Sequence, residues 1–377
     1  MDFKLDSVQQ MLQDSVRRFI DNEYGFASRT ALVNSTQGGS NDNWQAFASN
    51  GWLAAALPDE HGGIGGTIVE TALIAHEFGR GLVVEPYLGC AVLAAQTLVS
   101  AATDAQRSSL LPDLADGSSR IALAYSEAAS RGDPSIVSTT ATRVAGGYVL
   151  QGRKTLVLGG AQADRLIVSA QLLDEAGHAR GISLFLLDAG MDSVVVRPLA
   201  LHDGSHAAEL TLDQVSIGDE ALLGEPGRGL MALECGLSHA IAALCAELVG
   251  AMEKAIETTA EYLKLRQQFG VPIGTFQALQ HRIADMAAEL ELARSMLYAL
   301  LTSFVNDAIA DRRHVTSQAK AFIGRAAKAV CGQAIQLHGG IGMTEECAIG
   351  HYFKRAVVAD VLFGNSDWHE ARCAAVV

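Results

Sequence analysis

Charge is scarce in this 377-residue chain: Asp, Glu, Lys and Arg together make up 19%, where about a quarter is usual. A chain that is 49% apolar and this lightly charged is not globally disordered. The deficit also hints at apolar surface covered by another subunit. Positive charge is scarcer still, with 28 Lys and Arg against 42 Asp and Glu and a formal charge of −14. That balance argues against non-specific nucleic-acid binding, and it requires an anionic ligand to be met by a local cationic site. Cysteine pairing is missing as a pattern. Cys90, Cys235, Cys245, Cys331, Cys347 and Cys373 include no Cys-x-x-Cys, which excludes a disulfide framework and a zinc site and fits reduced, intracellular usage. The opening residues lack an apolar targeting core, and no run of about 18 uncharged apolar residues occurs. The expectation is a cytoplasmic protein without a membrane span.

At roughly 150 residues per domain, the length holds two or three domains. Residues 1–120 read as helical. Val8, Met11, Leu12, Val16, Phe19 and Ile20 recur at helical spacing, and so do Ile68, Ala72, Leu73, Ala75 and Phe78. From about Ile121 the texture changes to short β-rich runs: 121–125, 148–151, 165–170, 182–188, 193–198 and 209–215, separated by turn clusters. Many short strands with no helices between them predict a small barrel or sandwich over 121–226. Beyond Gly227-Arg228-Gly229, the segments 230–266, 275–304 and 317–336 are long, amphipathic and rich in Ala and Leu, so 227–377 reads as a four-helix bundle. The fold class is mainly α with a central β domain, an α+β chain.

Three clusters can carry chemistry. Arg266-Gln267-Gln268-Phe269-Gly270, followed by Phe276-Gln277, ends a long helix in a cation and a glycine. This is either an ordinary C-terminal cap or an Arg placed to bind a phosphate. Gln336-Leu337-His338-Gly339-Gly340-Ile341-Gly342 lets backbone approach a ligand closely. It is not a P-loop, since no Lys-Ser/Thr follows, and helices rather than strands surround it. Tyr125-Ser126-Glu127 through Gly132-Asp133, with Gly152-Arg153-Lys154 further on, suits β-turn chemistry when taken alone.

In order and spacing the chain resembles the acyl-CoA dehydrogenase family, flavoproteins that form an α,β double bond in acyl-CoA thioesters. The likeness runs from Leu57-Pro58-Asp59-Glu60-His61-Gly62-Gly63 and Glu77-Phe78-Gly79-Arg80, through Tyr262–Gly270 and Ala284-Asp285-Met286, to Gln336–Glu346 and Phe353-Lys354-Arg355-Ala356. The resemblance implies FAD at a subunit interface. Its ring would lie on the middle domain and bundle of one subunit, and its ADP end would be held by a neighbour. By match, Arg266 and Phe269 contact the diphosphate region, Phe276 and Gln277 lie nearby, and Gln336, Leu337, His338, Gly339 and Gly340 complete the clamp. Ser126 matches the hydroxyl that bonds the flavin's pyrimidine edge. Asn365 belongs to Gly364-Asn365-Ser366-Asp367, which matches the loop after the family's catalytic glutamate. A tetramer and an acceptor of the electron-transfer flavoprotein type are implied as well.

The departures fall on the chemistry. The family's α-proton is removed by a carboxylate, and Phe363 occupies that position here. The alternative base, 26 residues before the Arg of Arg-x-x-Phe-Gly, is Ala240. The Trp-x-Thr that packs on the flavin is Leu156-Val157-Leu158, and an Arg near the acyl-CoA is Ile241. Two readings follow from the resemblance. The chain is a base-lacking subunit of a heterotetramer, clamping FAD for a catalytic acyl-CoA dehydrogenase partner, as occurs in bacterial degradation of steroid side chains and dicarboxylates. Alternatively it works alone as a homo-oligomer with Asp367, four residues past Phe363, as a relocated base. Glu234 and Glu247 flank Ala240 on the same helix. A non-flavin helical scaffold is disfavoured by the intact Arg266 and Gln336–Gly340 motifs. A di-iron bundle is disfavoured because Glu175-Ala176-Gly177-His178 is a lone Glu-x-x-His. His202 and His206 read as surface residues, so no metal is expected.

Overall fold

The computed structural model describes residues 4–34, 38–174, 176–305 and 309–375, except for the side chains of 309–311. Glu175 therefore lies outside the described residues. Two compact units form, each from non-consecutive stretches: Met1–Ala31 with Ile68–Val83 and Ile241–Val377, and Leu32–Thr67 with Val84–Ala240.

The second unit is built on a sheet. Eight strands run β1 (Ile121–Ala124), β2 (Thr140–Val144), β3 (Gly147–Leu158), β4 (Arg165–Leu173), β5 (Ala179–Asp188), β6 (Val194–Ala200), β7 (His206–Gly218) and β8 (Leu222–Leu223). They form one mixed sheet in the order β6-β7-β3-β2-β4-β5-β8, with β1 alongside β4. β1 runs parallel to β4 and is buried along its whole length, which is why it reads as an unbroken apolar run. β3 and β7 pair antiparallel with two register shifts, the second between Lys154 and Val157. That irregularity places Leu156 at φ +50° and re-aims the strand locally, as bulges do. The same unit holds helices α3 (Asn41–Ser49), α5 (Ala95–Ala101) and α6 (Asp104–Ala115), and a π-helical stretch, Tyr87–Ala94, that packs against β1 and β3. Thr103 and Gln106 close a reciprocal cap at the start of α6. Gly89 of the π-helical stretch approaches Leu158 so closely that an added Cβ would lie 2.6 Å from its carbonyl oxygen.

The first unit is helical. It contains α1 (Ser7–Glu23), α4 (Ile68–Gly81), most of α7 (Gly229–Leu265), α8 (Gln277–Thr302), α9 (Ile309–His338), α10 (Ala348–Val361) and α11 (Ser366–Ala374). The short helix α2 (Phe26–Val33) begins in this unit. Helix α7 is long and apolar enough to cross a membrane by length and composition, but 83% of its most apolar window is buried inside the fold, as befits the core helix of a bundle. Glu77 of α4, fully buried, accepts from Arg17 of α1 at 2.7 Å and lies 3.1 Å from His76. A buried carboxylate needs such partners.

Helices α4 and α7 touch backbone to backbone. A Cβ at Gly79 would lie 1.9 Å from the Glu247 carbonyl oxygen, and one at Gly250 would lie 1.9 Å from that of His76. Each glycine admits the other helix. Gly250→Ala is therefore expected to cost about 3 kcal/mol or more by urea denaturation. Gly340→Ala, where an added Cβ meets nothing within 4 Å, should stay within about 0.5 kcal/mol.

Candidate functional site

Helix α7 ends at Leu265, and the chain at once makes a small hairpin, β9 (Gln267–Gln268) with β10 (Val271–Pro272). Its two-residue turn is Phe269-Gly270, at φ +55° and +81°, the pairing that matches strand twist. A left-handed Phe costs roughly 1–2 kcal/mol, yet the residue is 92% exposed and its ring meets the edge of Phe276, with ring centroids 6.2 Å apart. The strain serves no core. The hairpin is anchored at both sides of Arg266, whose N–H donates to Tyr262 O at 2.8 Å and whose carbonyl accepts from Ile273 N–H at 2.8 Å. Its guanidinium has no partner among the described residues and is solvent-exposed. Gln277 opens α8 and is exposed as well.

The second arm comes from the end of α9. Leu337 and His338 are buried, whereas Gln336 is exposed. Gly339 turns the chain at φ +67°, and a Cβ on Gly339 or Gly340 would meet nothing within 4 Å. No packing among the described residues demands glycine at 340, so its backbone stands open. Tyr262 links the two arms. Its ring stacks on His338 with centroids 4.4 Å apart, and its hydroxyl donates to His338 O at 3.3 Å. His338 Nδ1 bonds Ala334 O at 2.9 Å, and burial lowers the imidazole's pKa. The side chains of Leu337 and His338 thus belong to the bundle's packing, while Arg266, Gln277, Gln336 and the Gly339-Gly340 backbone face solvent. Tyr262 joins the residue before Gly339 to the start of the hairpin that follows Arg266.

Ser126 lies at the end of β1. Two consecutive residues of β3 fasten this segment: Lys154 Nζ donates to Tyr125 O at 3.3 Å, and Thr155 N–H donates to Ser126 O at 2.9 Å. Lys154, fully buried, also donates to Glu127 Oε1 at 2.7 Å and Ser169 Oγ at 3.1 Å. Glu127 accepts from the backbone N–H groups of Ser138 and Thr139 at 2.7 and 3.0 Å. Burial pushes Lys154 down to about 8 against the pull of Glu127. Burial works to raise Glu127, but Lys154 and the two amides outweigh it and leave the carboxyl below its ordinary range. The half-buried Ser126 hydroxyl has no partner among the described residues. Leu156 and Leu158, one and three residues past Thr155, have no side-chain donor to offer beside it.

The expected base positions hold no acid. Ala240 is wholly buried and Phe363 nearly so. Phe363 sits at φ +61° and Gly364 at φ +94°, and their turn is gripped from beneath. The buried Lys320 ammonium donates to Asp360 O at 3.1 Å and Gly364 O at 3.0 Å. His369 Nε2 donates to Phe363 O at 3.0 Å, and its Nδ1 lies 3.1 Å from Ser317 Oγ. Asn365 caps α11, accepting from Trp368 N–H at 2.9 Å. Asp367 is in the first turn of α11 with its side chain 84% exposed, paired with Arg325 at 2.9 Å. Glu247 is buried and held by Arg355 through Oε1 at 2.5 Å and Oε2 at 2.9 Å. No group of three or more His, Cys, Asp or Glu able to hold a metal occurs among the described residues.

Residues 6–118, 122–215 and 227–377 match, in order, the N-terminal, middle and C-terminal domains of acyl-CoA dehydrogenase. The mitochondrial isovaleryl-CoA dehydrogenase of Solanum tuberosum is 30% identical over 96% of this chain and 88% of its own length. The chain belongs to the acyl-CoA dehydrogenase family. Among solved structures, a variant of the Tcur3481-Tcur3483 steroid ACAD matches with TM-score 0.87 at 30% identity, covering 98% of this chain and 97% of that one. An FAD-dependent dehydrogenase matches with TM-score 0.88 at 26% identity over 100% and 99%. An acyl-CoA dehydrogenase of this family is an FAD-dependent oxidoreductase. The residues present fit the cofactor: an unpartnered Arg266 and an open Gly339-Gly340 backbone suit an anionic diphosphate, and the Ser126 hydroxyl suits a polar ring edge.

Proposed function

We propose that this chain is the base-lacking, FAD-clamping subunit of a heteromeric acyl-CoA dehydrogenase acting on a bulky, steroid-type acyl-CoA thioester. The observation that carries the reading is the pairing of an open, unpartnered clamp with two base positions held by Phe363 and Ala240. Two of the carboxylates weighed as substitutes are engaged elsewhere: Asp367 with Arg325 on the surface, and Glu247 with Arg355 in the interior. Dehydrogenation removes the α-proton to a base and the β-hydride to an acceptor, and bound FAD supplies that acceptor. In this reading Arg266, Gln336 and the Gly339-Gly340 turn hold the diphosphate end, with Phe269, Phe276 and Gln277 beside them. The ring of that FAD rests on the partner subunit, which supplies the carboxylate, while Ser126 is placed for the ring edge of an FAD seated on this chain. The division into 1–120, 121–226 and 227–377, a heterotetrameric assembly, a cytoplasmic setting and an electron-transfer flavoprotein acceptor complete the proposal. The kinship to the Tcur3481-Tcur3483 steroid ACAD supports both the heteromer and the substrate class.

Anaerobic flavin bleaching by acyl-CoA tests it. The chain expressed alone should not bleach, and the chain co-expressed with the acyl-CoA dehydrogenase encoded beside it should. Asp367→Ala should leave the rate of the pair unchanged. Bleaching by the lone protein that vanishes in Asp367→Ala would instead establish the self-sufficient enzyme with a relocated base.

A further inference from the structure

The clamp has two arms from distant parts of the chain, and their exposed ends have nothing of their own to keep them in register. Arg266 and Gln336 make no side-chain bonds among the described residues, and Gly339 and Gly340 stand in open space. Tyr262 touches both arms. Its carbonyl accepts the Arg266 N–H at 2.8 Å, one helical turn on, while its ring and hydroxyl engage His338, the residue before Gly339. His338 O belongs to the last turn of α9, where carbonyls lack helical partners, so the Tyr262 hydroxyl caps that helix. The bond of Nδ1 to Ala334 O favours the stacked position of the His338 ring.

We infer that Tyr262 and His338 form a latch that sets the separation between Arg266 and the Gly339-Gly340 turn, so that the pair clamps a dinucleotide diphosphate. Both are positioning residues and neither contacts the ligand through its side chain. The inference rests on the clamp reading of Arg266 above. It assigns the aromatic ring and the hydroxyl separate duties: the ring fixes spacing by stacking, and the hydroxyl fixes where α9 ends. Tyr262→Phe keeps the first and loses the second. Tyr262→Leu keeps apolar volume and loses both.

The test uses the FAD-loaded assembly purified through a tag on this chain, stripped of flavin and titrated with FAD by fluorescence quenching. The melting temperature of each stripped form is recorded alongside. Tyr262→Leu is expected to raise the FAD dissociation constant at least tenfold while the melting temperature stays within a few degrees. Tyr262→Phe should raise it only a few-fold. Because the latch acts through Arg266, adding Tyr262→Leu to Arg266→Ala should weaken binding little further, the non-additivity expected of coupled residues. A Tyr262→Leu effect of full size in the Arg266→Ala background, or wild-type affinity in Tyr262→Leu, overturns the latch. Wild-type affinity in Arg266→Ala itself removes the clamp reading and the latch with it.

Discussion

Arg355→Met should destabilise the protein by about 3–5 kcal/mol, the range for breaking a buried ion pair by removing one partner. Arg355 and Glu247 are each less than a tenth exposed and joined by two bonds, so the methionine leaves a carboxylate buried without its counter-charge. The double variant Glu247→Leu/Arg355→Met should recover most of the loss, because apolar replacement of a buried pair is often neutral. Urea denaturation of the four proteins of this cycle measures the coupling. The result bears on chemistry as well as on stability. Glu247 lies seven residues past Ala240 on α7, and a coupling near zero would return it to the field as a candidate base.

His369→Gln should flatten the acid limb of the stability curve. Burial, reinforced by the nearby Lys320 ammonium, pushes the His369 imidazole down to about 3, whereas an unfolded histidine titrates near 6.5. Between those values the unfolded chain binds the extra proton and the folded chain does not, so stability falls as the pH drops through this window. The histidine alone accounts for about 2 kcal/mol by pH 5 and about 4–5 kcal/mol by pH 3. Carboxylates add their own acid losses, and the difference between wild type and variant isolates this one. Glutamine can still donate to Phe363 O, so the variant should match wild type at pH 7 to within about 1 kcal/mol. Curves that run parallel from pH 7 to pH 4 would show that His369 does not titrate as its burial beside Lys320 requires.

Much of the fold was legible because the long helices repeat at 3.6. The segment 230–266 anticipates α7, and 7–20 and 67–80 anticipate α1 and α4. What stayed hidden depends on distant partners. The second half of β3 reads as the polar run Gly152-Arg153-Lys154-Thr155, unlike an interior strand. Its lysine is buried because Glu127, 27 residues away, neutralises it. β2 is short and half-exposed, and it forms only against β3 and β4. The clamp's exposed residues were readable as motifs, since glycine and arginine at fixed spacing carry their own geometry. The latch was not, because stacking Tyr262 on His338 requires two helix ends 76 residues apart to meet. The engagement of Glu247 with Arg355, 108 residues away, was equally invisible in the sequence.

The turn around Phe363 is secured by groups that hold main chain only: Lys320 on the carbonyls of Asp360 and Gly364, and His369 on that of Phe363. None of these bonds reads which side chain stands at 363. A lineage can therefore exchange that residue without rebuilding the turn. Selection for folding acts there on one set of atoms, and selection for reactivity on another set in the same residue.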